Sequence, residues 1–90
     1  MAELARTYWA TDLTQGPAGR FRVVVTRLSH GKGPARDQYS ATLYRRDDNG
    51  EQAVEADFWR STTPPHDGDK IRFREKAKKA AAETAASTPD

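Results

Sequence analysis

Between residues 38 and 60 two alternating runs flank Asp47-Asp48-Asn49-Gly50-Glu51, and nothing else in the chain constrains the fold as strongly. An Asn-Gly pair between such runs specifies a hairpin, because a two-residue type I′ turn needs both central residues at positive φ. With Asn49 and Gly50 as that pair, Leu43 lies opposite Ala56 and Ala41 opposite Phe58, large against small on one face. On the other face Tyr44 meets Glu55, Thr42 meets Asp57 and Ser40 meets Trp59. A four-residue loop over Asp47 to Gly50 shifts these pairs by two and keeps the same faces. The expectation is strands over 38–46 and 52–60, with Tyr44 and Trp59 turned outward.

Residues 7–14, aromatic and β-branched, read as a first strand, closed by Gln15-Gly16-Pro17-Ala18-Gly19. Residues 20–29 read as the second, with Phe21, Val23 and Val25 on one face and Arg22, Val24 and Thr26 on the other. His30 to Arg36 reads as a loop, and Ser61 to Asp69, with Pro64-Pro65 and Asp67-Gly68, as another. Lys70 to Arg74 alternates again, placing Ile71 and Phe73 inside and Lys70, Arg72 and Arg74 outside, and reads as a short last strand. From Glu75 onward Ala and Lys dominate; helix propensity is high, but no large apolar residue follows Phe73 to dock such a helix.

Five strands with short connections and no room for a crossover helix require antiparallel pairing. The fold class is therefore mainly β: a small five-stranded antiparallel meander, or an SH3-like or OB-like barrel. Residues 1–74 form one small β domain and residues 75–90 an Ala/Lys-rich C-terminal tail, helix-prone or disordered. A domain of this size buries only about 60% of the surface its unfolded chain exposes. With no cysteine in the 90 residues, disulfides and thiolate zinc sites are excluded as supports.

The N-terminal Met-Ala-Glu-Leu-Ala-Arg-Thr lacks the charged start and apolar run of a signal peptide. The longest apolar run is Val23-Val24-Val25, far short of the roughly 20 residues that span a bilayer. A cytoplasmic protein without a membrane partner is expected. The formal charge of +2 conceals blocks. Arg20 to Arg46 holds seven bases and one acid, net +6; Asp47 to Asp57 holds five acids and no base, net −5; Arg60 to Lys79 holds seven bases and three acids, net +4.

Motifs for catalysis are incomplete. His30 and His66 are the only near-neutral bases and both stand in Gly/Pro-flanked loops without an identifiable partner. Gly31-Lys32-Gly33 lacks the upstream glycine and following Ser/Thr of a phosphate-binding P-loop. Asp67-Gly68-Asp69 and Asp47-Asp48 lack the alternating ligands and distal Glu of a calcium loop. The expectation is a non-enzymatic accessory protein without metal or cofactor.

Aromatics and arginines interleave along the strands, as single-stranded nucleic acid requires: rings to stack bases and guanidinium groups to neutralise phosphates. Tyr44 and Trp59 are assigned the stacking role. Arg22, Arg46, Arg72 and Arg74 are assigned phosphates on the outer sheet face, with Lys76 and Lys78 of the tail assisting. Phe21, Phe58 and Phe73 are core. Glu55 and Asp57 lie beside the expected stacking pair and oppose phosphate. The rival expectation is a protein-interaction module, including a homodimer, that uses the same exposed aromatics as anchors. A third arrangement puts Trp59 beneath the tail or against Trp9, as a second small core.

Overall fold

The computed structural model describes residues 4–29 and 37–83. The loop expected over residues 30–36, with His30 and Gly31-Lys32-Gly33, lies outside the described residues, as does the chain end from residue 84. The elements in chain order are β1 (Leu4–Ala10), β2 (Thr14–Gly16), β3 (Gly19–Ser29), β4 (Gln38–Asp47), β5 (Gly50–Ser61) and α1 (Asp67–Ala82). All five strands join one antiparallel sheet in the order β1-β3-β4-β5, with β2 paired to β3 beside β1. The sheet is open, since β1 and β5 form its two edges. The mainly β, five-stranded meander is the fold, and the barrel is not formed.

The fifth strand is not the expected one. Lys70 to Arg74 is helical, the centre of a 16-residue α1. The expected first strand is two, β1 and β2, linked by the buried Thr11. That residue stays bonded to Val23 of β3: its N–H donates to the Val23 carbonyl at 2.9 Å, and its Oγ1 accepts from the Val23 N–H at 3.0 Å.

The alternation of Ile71 and Phe73 misled because a helix start precedes it. After Pro64-Pro65, the Asp69 carboxylate accepts the His66 backbone N–H at 3.1 Å, and the Lys70 N–H donates to the His66 carbonyl at 2.9 Å. Asp67 and Asp69 place negative charge at the positive end of the helix dipole. Phe73, Ala77 and Ala81 then recur at helical spacing and are the buried residues of α1, whereas Ile71 is 56% exposed. The expectation that nothing after Phe73 could dock a helix is corrected here. Alanines suffice, because they let the helix lie close to the sheet.

That closeness is measurable at the β2–β3 turn. A Cβ on Gly16 would stand 2.2 Å from the Ala81 carbonyl oxygen, so only glycine fits beneath the last helical turn. The Ala18 N–H of the same turn donates to that carbonyl at 3.0 Å, satisfying a helix-terminal acceptor. Around Phe73, Ala77 and Ala81 the core is completed by Phe21, Val23 and Val25 of β3 and Tyr39, Ala41 and Leu43 of β4. The boundary expected between residues 74 and 75 thus falls inside a helix that packs on the sheet as far as Ala81.

The β4–β5 hairpin forms; beside its turn it has the register of the four-residue loop over Asp47 to Gly50, and that register drifts along β5. Asp47 pairs with Gly50, so Asp48 and Asn49 are the turn residues. Neither has positive φ; Gly50 does, at +112°, which replaces the type I′ turn by a turn followed by a left-handed glycine. The Asp47 carboxylate accepts the Asn49 N–H at 2.8 Å and braces it. Arg46 pairs with Glu51 and Tyr44 with Ala53, but Leu43 pairs with Glu55 and Ala41 with Trp59. The residue numbers of a pair sum to 97 near the turn and 100 at Ala41–Trp59, so β5 takes up three extra residues through its irregularities. An odd slip reverses the faces. The expected pairs Leu43–Ala56, Ala41–Phe58 and Ser40–Trp59 are therefore not formed, and Trp59 turns toward the helix.

Candidate nucleic-acid interface

The eight residues assigned to nucleic acid are divided among three places. Arg22, Tyr44 and Arg46 meet on the sheet face opposite α1, where Arg22 pairs with Tyr44 across β3 and β4. Trp59 lies on the helix side. Arg72, Arg74, Lys76 and Lys78 belong to α1.

On the open sheet face Arg22, Arg46 and Arg60 have carboxylate partners, whereas Arg20 forms no ion pair among the described residues. The Arg22 guanidinium grips Glu51 with two hydrogen bonds, Nε to Oε2 at 2.6 Å and Nη2 to Oε1 at 2.8 Å. Arg46 Nη2 stands 3.8 Å from the same carboxylate. The hydrogen bond from Arg22 holds the Glu51 carboxyl below its ordinary range, against an opposing contribution from burial, with both arginines adding attraction. The same bond raises the Arg22 pKa. Further along, Arg60 reaches Asp57 at 3.3 Å. Tyr44 is half-buried beside Arg22, opposite Ala53.

Trp59 is withdrawn from the expected stacking pair. Its ring meets Phe73 edge-on, with centroids 5.3 Å apart, and Phe58 does the same at 5.8 Å. Trp9 approaches Phe73 from β1 at 6.1 Å. Phe73 is thus the hub of an aromatic cluster between helix and sheet, close to the arrangement in which Trp59 packs beneath the C-terminal segment. The faces reverse at Val54, the one extra residue between the Tyr44–Ala53 and Leu43–Glu55 pairs. β5 then takes up two more residues around Asp57, which adopts φ +50° with its N–H bonded to Thr42 Oγ1 at 3.1 Å, and both Phe58 and Trp59 turn toward Phe73.

The helix gathers what the sheet disperses. Lys70, Arg72, Arg74, Lys76, Lys78 and Lys79 lie within ten residues that contain one acid, Glu75. At 100° per residue they flank the buried Phe73-Ala77-Ala81 stripe in two rows, Lys70-Arg74-Lys78 toward β1 and β2, and Arg72-Lys76-Lys79 on the other side. Several are fixed in place. Lys70 Nζ and Arg74 Cζ sit 5.5 and 5.4 Å from the centre of the Trp9 ring. Lys76 Nζ lies 4.6 Å over Phe58 and 3.0 Å from Glu55. Lys78 stands 3.9 Å from Glu75. Among the described residues Arg72 and Lys79 form no ion pair, and both are exposed.

Lys70 and Lys79 were missing from the expected set, as was Trp9 as a platform for cations. The i, i+4, i+8 spacing of Lys70, Arg74 and Lys78 is the available signal, masked by the strand-like alternation of Ile71 and Phe73. Among the described residues no group of three His, Cys, Asp or Glu could hold a metal ion. No described helix is long and apolar enough to cross a membrane. Compared with protein families, with curated proteins and with solved structures, the chain finds no match.

Proposed function

We propose that this chain is a non-enzymatic accessory protein that binds nucleic acid, and that its contact surface is the solvent side of α1 rather than the open sheet face. The observation that carries this reading is the concentration of six bases against one acid between Lys70 and Lys79, on a helix anchored by Phe73. Phosphate attracts such a surface in proportion to the cations it can neutralise. Arg22 and Arg46, tied to Glu51, contribute less.

The test is fluorescence anisotropy of labelled oligonucleotides with the full chain, at low and moderate salt. Binding that weakens steeply with salt and is removed by Arg72→Glu with Lys79→Glu supports the proposal. No binding at low salt overturns it.

A protein-interaction role has one observation in its favour. On the sheet face opposite α1, no described helix packs over the half-buried Thr26, Thr42 and Tyr44, which surround a buried Val24, and ion pairs stand at the margins. Under that reading Tyr44→Ala abolishes a complex, or self-association seen by light scattering, that salt leaves intact.

A further inference from the structure

We infer that the nucleic acid is duplex DNA and that α1 enters its major groove. This rests on the proposed nucleic-acid reading and names the ligand class for the same helix.

Three features converge. The first is shape: the two basic rows lie on opposite flanks of α1, separated by an outward ridge of Ile71, Glu75 and Ala82. A helix with its side chains is about 10–12 Å across, and the major groove of B-DNA is about 12 Å wide, bordered on both sides by phosphates. A helix seated there meets one strand with the exposed Arg74 and Lys78 and the other with the exposed Arg72 and Lys79, while Lys70 and Lys76, half-buried against Trp9 and Phe58, lie nearer the sheet.

The second is the ridge. Ile71 is 56% exposed on a helix whose other solvent positions are charged or small, and no core contact accounts for it. Glu75 is the lone acid among the six bases. Glu75 pairs with Lys78 at 3.9 Å, whereas a surface serving phosphate alone gains nothing from the exposed Ile71. In a major groove both have partners: an apolar side chain meets the thymine methyl, and a carboxylate accepts from the cytosine amino group.

The third is where the rings are. Single strands are held by exposed ring faces. Beside this helix, Trp9, Phe58 and Trp59 all face Phe73, and Trp9 and Phe58 also carry Lys70, Arg74 and Lys76. Duplex RNA is disfavoured because its major groove is too deep and narrow for side chains to read.

The experiment compares one labelled duplex DNA of mixed sequence, its isolated strand and the duplex RNA of the same sequence, all against the full chain at low salt. Dimethyl sulfate footprinting of guanine N7, an atom of the major groove, accompanies it. The expected result is duplex DNA bound at least about tenfold tighter than the other two, with guanine N7 protected. Arg72→Glu with Lys79→Glu abolishes binding while circular dichroism stays unchanged; Arg60→Gln, on the opposite sheet face, leaves it intact. If the single strand binds as tightly as the duplex and still needs Arg72 and Lys79, this inference falls and the proposed function stands. Duplex binding without N7 protection also overturns it. If no nucleic acid binds, both readings fall together.

Discussion

Gly16 and Gly68 are chemically identical, and their surroundings require opposite outcomes from the same substitution. At Gly16 an added methyl meets the Ala81 carbonyl oxygen at 2.2 Å, a backbone atom that cannot yield without lifting the end of α1. Gly16→Ala is expected to cost about 2 kcal/mol through overpacking. At Gly68, in the first turn of α1, the methyl meets nothing within 4 Å. Gly68→Ala is expected to stabilise by about 0.5–1 kcal/mol, the difference in helix propensity. Thermal unfolding of the two variants beside the parent checks both signs at once. Glu51 supplies the pH dependence at this scale. Its folded pKa is depressed by Arg22, so the stability it contributes is present above the ordinary glutamate range and lost as pH falls through the lower folded value. Urea midpoints taken from neutral pH into the acid range are expected to fall less steeply for Glu51→Gln than for the parent.

Among the elements, β5 and α1 depart furthest from a simple reading of their residues, for different reasons. Strands β3 and β4 were legible because Phe21-Val23-Val25 and Ala41-Leu43 are buried at period two, and a regular ladder preserves that pattern. In β5 the same alternation is present, but one extra residue at Val54 inverts it and two more are taken up around Asp57, and neither irregularity is announced in the sequence. Asp is among the few residues that tolerate the left-handed region, so Asp57 was permitted there without being required. Within α1, Ile71 and Phe73 satisfied a strand template, whereas the helical stripe of Phe73, Ala77 and Ala81 relied on residues too small to stand out. Two of the eight candidate interface residues are misplaced for the same reason: Arg72 and Arg74, expected on a strand face, belong to opposite flanks of a helix. Phe73 joins all of these elements. Phe73→Ala removes the ring shared by Trp9, Phe58 and Trp59 and is expected to cost about 3–5 kcal/mol, measured as a lowered urea midpoint with loss of the aromatic near-ultraviolet dichroism.

Across the whole molecule, charge is sorted by fold rather than by order in the chain. The acidic block from Asp47 to Asp57 is largely matched from within its surroundings: Glu51 by Arg22 and Arg46, Asp57 by Arg60, and Glu55 by Lys76 of the helix. A chain of net charge +2 thereby concentrates basic residues on α1. If four of its six bases each neutralise a phosphate, the logarithm of the binding constant is expected to fall against the logarithm of salt concentration with a slope of roughly −4. A salt titration of anisotropy reads that slope directly. Arg72→Gln with Lys79→Gln should reduce its magnitude by about two, one for each lost contact.

The bond from the Ala18 N–H to the Ala81 carbonyl makes one turn amide a reporter on a whole helix. Turn amides ordinarily trade their hydrogen for solvent deuterium quickly, because local fraying exposes them. This one is released only when the end of α1 lifts from the sheet, so its exchange rate measures how often the helix undocks. A ligand that binds only the docked helix slows that exchange by mass action, even though residue 18 lies far along the chain from the basic rows. A single resonance followed in deuterated buffer, with and without DNA, therefore weighs the stability of the fold and the engagement of its basic helix on the same scale.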